Sequence, residues 1–360
     1  MSSSSDATGP TPDRDLPGLD LGRLGPWLAE HVEGASAGAT GGLGATLIAG
    51  GKSNLTYDVT DGTSHWIVRR PPLGHVLATA HDMVREHTVL SALRPTGVPV
   101  PTTYALCRDE AVLGAPFYVM ERVSGVPYRY ARELAGLGPA RVEALSGQLI
   151  DILVALHAVD PASVGLGEFG RAEGFLSRQV HRWKKQLDAS YNRDLPAGEE
   201  LYRRLATRVA EVERVGSVAG IVHGDYRLDN VLTDSTGTTD TIRAVVDWEM
   251  ATLGDPLTDL AILVTYQRMA QWGGRGTVSD VSRAPGWLDE DRIIARYDAA
   301  SHRDLSHFGF YLGLAAFKLA AILEGIHYRY LQGQTVGPGF DTIGEAIHPL
   351  LDAGLTALDS

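Results

Sequence analysis

His223-Gly224-Asp225-Tyr226-Arg227-Leu228-Asp229-Asn230, followed by Val245-Val246-Asp247-Trp248-Glu249, decides how this chain is read. β-prone apolar residues bound each half: Ile221-Val222 and Val231-Leu232 around the first, Ile242 to Trp248 carrying the second. Short strands are expected to hold the polar side chains at a rigid edge, where sites are best preorganised. Phosphoryl transfer needs a carboxylate to accept the acceptor hydroxyl's proton and oxygen ligands to hold Mg²⁺ against the phosphates. Asp225 suits the first role. Asn230 offers an amide oxygen to the metal, Asp247 the main metal carboxylate, and Arg227 a cation to offset charge on the moving phosphoryl group. The plain alternative is that these residues only satisfy loop backbone.

Two neighbours are read as structural. The His223 ring is expected to buttress the loop rather than transfer protons, and Asp229 to be either a solvated charge or one that supports the site from behind. Downstream, Leu253-Gly254-Asp255-Pro256-Leu257-Thr258-Asp259 has the form of a helix N-cap followed by a first-turn proline, with Asp259 in that first turn.

Lys plus Arg number 32 and Asp plus Glu 44, a formal charge of −12, in a chain of 360 residues. That acidity argues against a nucleic-acid or anionic-membrane binder, whose contacts need clustered cations, and fits a small-molecule substrate. The single cysteine, Cys107, excludes an internal disulfide framework and reads as a plain strand or loop residue in a reducing compartment. No signal peptide is visible. The longest apolar run, Tyr311 to Leu323, is thirteen residues, contains Lys318, and is too short to span a bilayer. A cytoplasmic location without membrane association is expected.

Residues 1–20, rich in Ser, Pro, Gly and Asp, read as a disordered leader. From 44 to 123 the pattern is strand-like: Thr46–Ala49, Leu55–Val59, His65–Arg69 after an Asp61-Gly62 turn, and Pro116–Val123, with one helix at 81–93. Helical patterns then dominate, over 139–157, 174–190, 199–215, 256–270, 288–300, 304–331 and 339–357. The organisation is α+β: a small β-rich N-lobe at 21–123 and a large helical C-lobe at 124–360, with a hinge near Ser124-Gly125.

The order of base Asp, cation two residues on, Asn five on, and metal Asp on the next strand resembles the protein-kinase catalytic layout. Its H-G-D opening resembles the aminoglycoside phosphotransferase and choline kinase family, with its protein-kinase-like two-lobed fold. The likeness covers roughly 44–330. Gly51-Lys-Ser-Asn-Leu-Thr-Tyr57, Ile67-Val-Arg-Arg-Pro-Pro72, Arg85-Glu86 and Gly174 to Ser190 most resemble the phosphotransferase domains found in bacteria and fused to acyl-CoA dehydrogenases in animals. The resemblance implies ATP as donor, with GTP as the alternative, Mg²⁺, and a hydroxyl-bearing small molecule as acceptor. It also makes Asp259 a brace for the catalytic loop.

The nucleotide side falls in the N-lobe. Gly51, Ser53 and Asn54 sit in a glycine-bearing turn between strands, where backbone amides approach phosphates closely. Glu86 shares its helical stripe with Met83, Leu90 and Leu93, so it faces protein and needs a cation. Arg69 and Arg70 occupy the strand position where kinases carry lysine; an arginine is expected there in the acyl-CoA dehydrogenase-linked subgroup. Alternation lets only one face the nucleotide, and Arg69 is chosen because Ile67 then shares its face and covers the adenine. The resemblance places adenine hydrogen bonds at the backbone near Glu121 and Val123.

Helix 174–190 pairs an apolar face (Phe175, Val180, Trp183, Leu187) with a basic one (Arg178, Arg182, Lys184, Lys185). The basic face reads either as a solvated surface or as a wall for an anionic substrate. The acceptor is therefore either a hydroxyacyl-CoA-like metabolite or an aminoglycoside or other antibiotic. A nucleotide-binding pseudokinase acting as an interaction module is the alternative class, favoured only if a metal ligand were missing. Metal-dependent hydrolysis would need more metal ligands than are present.

Overall fold

A computed structural model describes residues 16–36, 42–48, 54–73, 82–190, 192–215, 218–272, 279–335 and 339–359. The chain divides into two units, one of residues 1–94 with 100–123, the other of 95–99 with 124–360.

The first unit carries α1 (Leu21–His31), β1 (Gly44–Leu47), β2 (Leu55–Thr60), β3 (His65–Arg70), α2 (Met83–Leu93), β4 (Thr103–Cys107), α3 (Glu110–Leu113) and β5 (Phe117–Glu121). The strands form one antiparallel sheet in the order β1-β2-β3-β5-β4. Alternation sends Tyr57, Val59, Trp66, Val68, Phe117 and Val119 into a core shared with Leu19, Leu24 and Leu28. The α1 sequence, with two glycines and an internal proline, opposes helix propensity. It forms because Leu24 and Leu28 are fully buried, while Asp20 caps it by accepting the Arg23 amide at 3.1 Å.

Of the leader expected over 1–20, residues 1–15 lie outside the described residues, whereas Leu16–Asp20 are ordered against the first unit: Leu19 is buried, and the Tyr57 hydroxyl donates to the Pro17 carbonyl. Cys107 is a buried residue of β4, and burial pushes its thiol pKa up.

The second unit carries α4 (Ala131–Leu134), α5 (Pro139–Ala158), α6 (Phe175–Ala189), α7 (Pro196–Val215), β6 (Gly220–Val222), β7 (Val231–Asp234), β8 (Thr241–Val245) and β9 (Thr252–Gly254). It continues with α8 (Leu257–Gln271), α9 (Glu290–Ser301), α10 (Phe308–Leu331) and α11 (Ile347–Asp359). The strands make two antiparallel pairs, β6 with β9 and β7 with β8. Residues 223–230 join β6 to β7 and residues 246–251 join β8 to β9, so the two pairs anchor both ends of both loops.

The strand expected over Ile242–Trp248 ends at Val245, because Asp247 takes φ 66°, ψ 58° and turns the chain. The helix expected over 339–357 is a short 3-10 turn at Ile343–Ala346 leading into α11, and that expected over 304–331 begins at Phe308. Among the described residues α10 alone is long and apolar enough to cross a membrane, which the thirteen-residue run did not suggest. Most of it is buried inside the protein, against α6, α7, α8 and α11.

Candidate active site

In the second unit, Asp225 is held by three side chains. The Tyr266 hydroxyl of α8 donates to Oδ1 at 3.0 Å, the Asn230 amide nitrogen donates to Oδ2 at 3.0 Å, and Arg227 Nε lies 3.4 Å from Oδ2. Burial alone would raise the Asp225 pKa. The Arg227 and Lys318 charges and the Tyr266 hydroxyl outweigh it and hold the carboxyl below its ordinary value. The Tyr266 pKa is raised by its own burial and by Asp225, which keeps it a donor.

Arg227 is clamped rather than free. Its Nη1 lies 3.2 Å from Asp229 Oδ2, and its guanidinium sits 4.7 Å from the centre of the Tyr266 ring. Asp229 goes the opposite way from Asp225: burial raises its pKa against the pull of Arg227. Asp229 thus supports Arg227 from one side, while Asp225 is the carboxyl whose pKa the loop holds down.

The loop is braced from below. Asp259, in the first turn of α8, accepts the His223 amide at 2.7 Å and the Gly224 amide at 2.8 Å. Burial pushes its pKa up, but His157, His223 and the Gly224 amide hold it below the usual value. His157, buried between the Tyr297 hydroxyl at 2.7 Å and Asp259 at 3.4 Å, is lowered by burial. His223 accepts the Asp225 amide at Nδ1, 3.2 Å, so Nε2 carries the hydrogen bonded to the Val246 carbonyl at 3.0 Å. Its ring lies against Trp248. It ties the two loops together, as a buttress does. Asp255 accepts the Leu257 amide at 3.1 Å and the Tyr311 hydroxyl at 2.6 Å.

Asn230 and Asp247 reach one end of the β7–β8 pair through its register. Val231 pairs with Val245, and the Val246 amide then donates to the Asn230 carbonyl at 2.9 Å, so Asp247 follows one residue beyond. The Asn230 amide nitrogen is engaged by the Asp225 carbonyl at 2.8 Å as well as by its carboxylate, which leaves Oδ1 as the amide's ligand atom. An amide oxygen and one carboxylate fit Mg²⁺, which keeps waters and takes phosphate oxygens for its remaining positions. Among the described residues no group of three or more His, Cys, Asp or Glu could hold a metal ion.

The first unit builds a separate ion-pair cluster. Arg69 Nε donates to Glu86 Oε2 at 2.7 Å and Nη1 to Thr56 Oγ1 at 3.2 Å. Glu86 is 1% exposed and also accepts from Asn54 Nδ2 at 2.8 Å and the Tyr118 hydroxyl at 2.9 Å. Thr56, Arg69 and Tyr118 are cross-strand partners on three adjacent strands, which explains their convergence. Arg70 goes elsewhere, donating to the carbonyls of Gly18, Leu113 and Pro71.

Ile67 pairs with Met120, two residues from Arg69 along β3, and is 7% exposed. The side-chain amide nitrogen of Asn54, from the turn expected at the phosphates, donates to Glu86. The Glu121 amide, expected at the adenine, donates to the Thr102 carbonyl at 2.8 Å, and its carboxylate accepts the Thr102 amide at 3.1 Å. Val123 ends the unit. Gly51 and Ser53 lie outside the described residues.

Tyr266 and Lys318 were not singled out as site residues in the sequence. Nothing marks Tyr266, whereas Lys318 is marked by its place in an apolar run. Half of the basic face of α6 is engaged within the protein. Lys184 pairs with Asp188 and Glu199, and Arg178 donates to the carbonyls of Arg171 and Glu173. Arg182 and Lys185 stay exposed.

An antiparallel five-stranded unit followed by a helical unit with a His-Gly-Asp loop, its Asn and an Asp after the next strand defines a kinase-like phosphotransferase fold. Residues 44–306 match the phosphotransferase enzyme family APH, and the chain belongs to that family. It is 32% identical to acyl-CoA dehydrogenase family member 11 of Gallus gallus over 347 residues, 94% of this chain and 43% of that protein. The chain thus spans less than half the length of that relative.

A Ralstonia eutropha structure assigned as an aminoglycoside phosphotransferase shares 32% identity at a TM-score of 0.79, over 94% of this chain and 97% of the other. A thermostable mutant of aminoglycoside phosphotransferase APH(4)-Ia, solved with AMP-PNP and hygromycin B, shares the fold. Its identity is 16% and its TM-score 0.61, over 93% of this chain and 98% of that one.

Proposed function

We propose that the protein transfers the terminal phosphoryl group of ATP to a hydroxyl of a small molecule in a Mg²⁺-dependent reaction, and that the acceptor is a hydroxyacyl-CoA-like metabolite rather than an aminoglycoside. One observation carries the chemistry. Asp225 is kept ionised by Arg227 and oriented by Tyr266 at one oxygen and Asn230 at the other. In this reading Asp225 accepts the hydroxyl's proton as the oxygen attacks phosphorus, and Arg227 offsets negative charge beside it. Asn230 and Asp247 would hold the metal. The metal held there would supply positive charge to offset that of the phosphates. Arg69, set by Glu86, would meet the phosphates, with Ile67 against the adenine and the Glu121–Val123 strand end beside it.

The acceptor class is supported by the match over nearly the whole chain to a protein named for acyl-CoA dehydrogenation, of which this chain corresponds to 43%. The exposed Arg182 and Lys185 suit an anionic acceptor better than a polycationic one. ADP release measured with Mg-ATP across hydroxyacyl-CoAs, free hydroxy acids and aminoglycosides tests this, with phosphorylated product identified by mass. Phosphorylation of a hydroxyacyl-CoA is expected; phosphorylation of an aminoglycoside alone would overturn the acceptor assignment.

A further inference from the structure

Within α10, the stretch from Phe308 to Leu323 has one charged residue, Lys318, set among the buried Phe317, Leu319, Ala320 and Ala321. Taking an ammonium out of water is costly unless the surroundings supply partners. The partners here belong to the catalytic loop. Lys318 Nζ donates to the Gly224 carbonyl, and Asp225 and Asp259 are its acidic neighbours, Arg182 its basic one. The ammonium also sits 5.5 Å from the centre of the Trp183 ring of α6, and the Arg182 guanidinium lies 5.1 Å from the same residue's ring.

The peptide it grips is one that only glycine can form. Gly224 has φ +88°, and a Cβ there would meet Met250 Cβ at 2.8 Å and the Met250 carbonyl oxygen at 2.9 Å. The two peptide groups flanking Gly224 are held from two helices by opposite charges. Asp259 of α8 takes the Gly224 amide, and Lys318 of α10 takes its carbonyl. The second of these peptide groups contains the Asp225 amide, which donates to His223 Nδ1 at 3.2 Å. Both atoms of the peptide that leads into the base are therefore engaged, and the bond from Lys318 is charge-assisted.

We propose that Lys318 is a positioning residue of the phosphotransfer apparatus, fixing the Gly224–Asp225 peptide from α10 while Trp183 seats its ammonium. This rests on the reading of Asp225 as the base. It also gives α6 a duty distinct from binding an acceptor: its buried face supports the catalytic loop through one lysine.

Hydrogen exchange on the full chain, comparing the parent with Lys318→Met and Lys318→Arg, tests the contact without needing an acceptor. In Lys318→Met the fragment carrying Gly224 and Asp225 is expected to exchange at least ~10-fold faster, with the remaining fragments of the second unit unchanged, and Lys318→Arg is expected to restore most of the protection. Turnover of Mg-ATP with water as acceptor adds the functional arm. Lys318→Met is expected to lower kcat ~10- to 100-fold at an unchanged KM for Mg-ATP, with recovery in Lys318→Arg. Parental exchange at Gly224–Asp225 in Lys318→Met overturns the proposal, and so does loss of protection throughout the unit in both variants. So does a fall in kcat that Lys318→Arg does not relieve. A parent that neither binds nor turns over Mg-ATP sinks the phosphotransfer reading, and the exchange result then reports on the loop alone.

Discussion

Asp225 and Asp229 flank one guanidinium, yet their carboxyls shift in opposite directions, Asp225 down and Asp229 up. The difference comes from partners: Asp225 has the Tyr266 hydroxyl, the Asn230 amide and a second cation, whereas Asp229 has burial and a share of Arg227. Removing the hydroxyl in Tyr266→Phe should therefore leave the carboxylate in place but less well oriented. A hydrogen bond to a charged group contributes about 1.5–3 kcal/mol, so kcat/KM is expected to fall roughly 10-fold or more while Mg-ATP binding is kept. Steady-state kinetics on that variant decide it; parental kcat/KM would remove Tyr266 from the site. Asp225, Arg227, Asn230 and Asp247 were legible in the sequence because their order along a short stretch carries the chemistry. Tyr266 was not, because it arrives from a helix forty-one positions away and its hydroxyl looks like any other until the loop is placed.

At the scale of elements, the β7–β8 register delivers Asn230 and Asp247 to one end, and the left-handed backbone of Asp247 turns its chain out of the strand. Asp247→Ala keeps the hairpin's ladder and removes a ligand, so calorimetric titration should show Mg-ATP binding markedly weakened, while an unchanged isotherm would contradict the metal assignment. The brace from α8 makes a different prediction. Asp259 is fully buried and its carboxyl pKa is held below the unfolded value. Its stabilisation is therefore complete above about pH 3.9 and is lost as pH falls through the folded value. Asp259→Asn should cost roughly 3 kcal/mol at neutral pH, and denaturant curves for the two proteins should converge as the medium is acidified below about pH 4. A gap that persists undiminished in acid would show that the charge is not what braces the loop.

The strands and most helices were legible from periodicity. No reading of α1 came from the sequence pattern, because its glycines and proline conceal the two leucines that bury it. The choice of Arg69 over Arg70 followed from strand alternation, but the reason Asn54 serves the ion pair lies in a contact thirty-two positions apart that no pattern announces.

At the scale of the whole molecule, the chain assigns chemistry by unit. The first orders a buried arginine–glutamate cluster across three strands, and the second orders a carboxylate, its donors and an amide–carboxylate pair around two short β pairs. A net charge of −12 agrees with a small-molecule acceptor. It also leaves α10 to be judged by what surrounds it: its apolar surface meets four helices, and its lysine meets the catalytic loop. The most direct test compares the parent with Asp225→Ala, measuring phosphoryl transfer from Mg-ATP beside the calorimetric affinity for Mg-ATP. Transfer at least ~10²-fold slower with affinity preserved is the expected result. Transfer at the parental rate in Asp225→Ala would contradict the central claim.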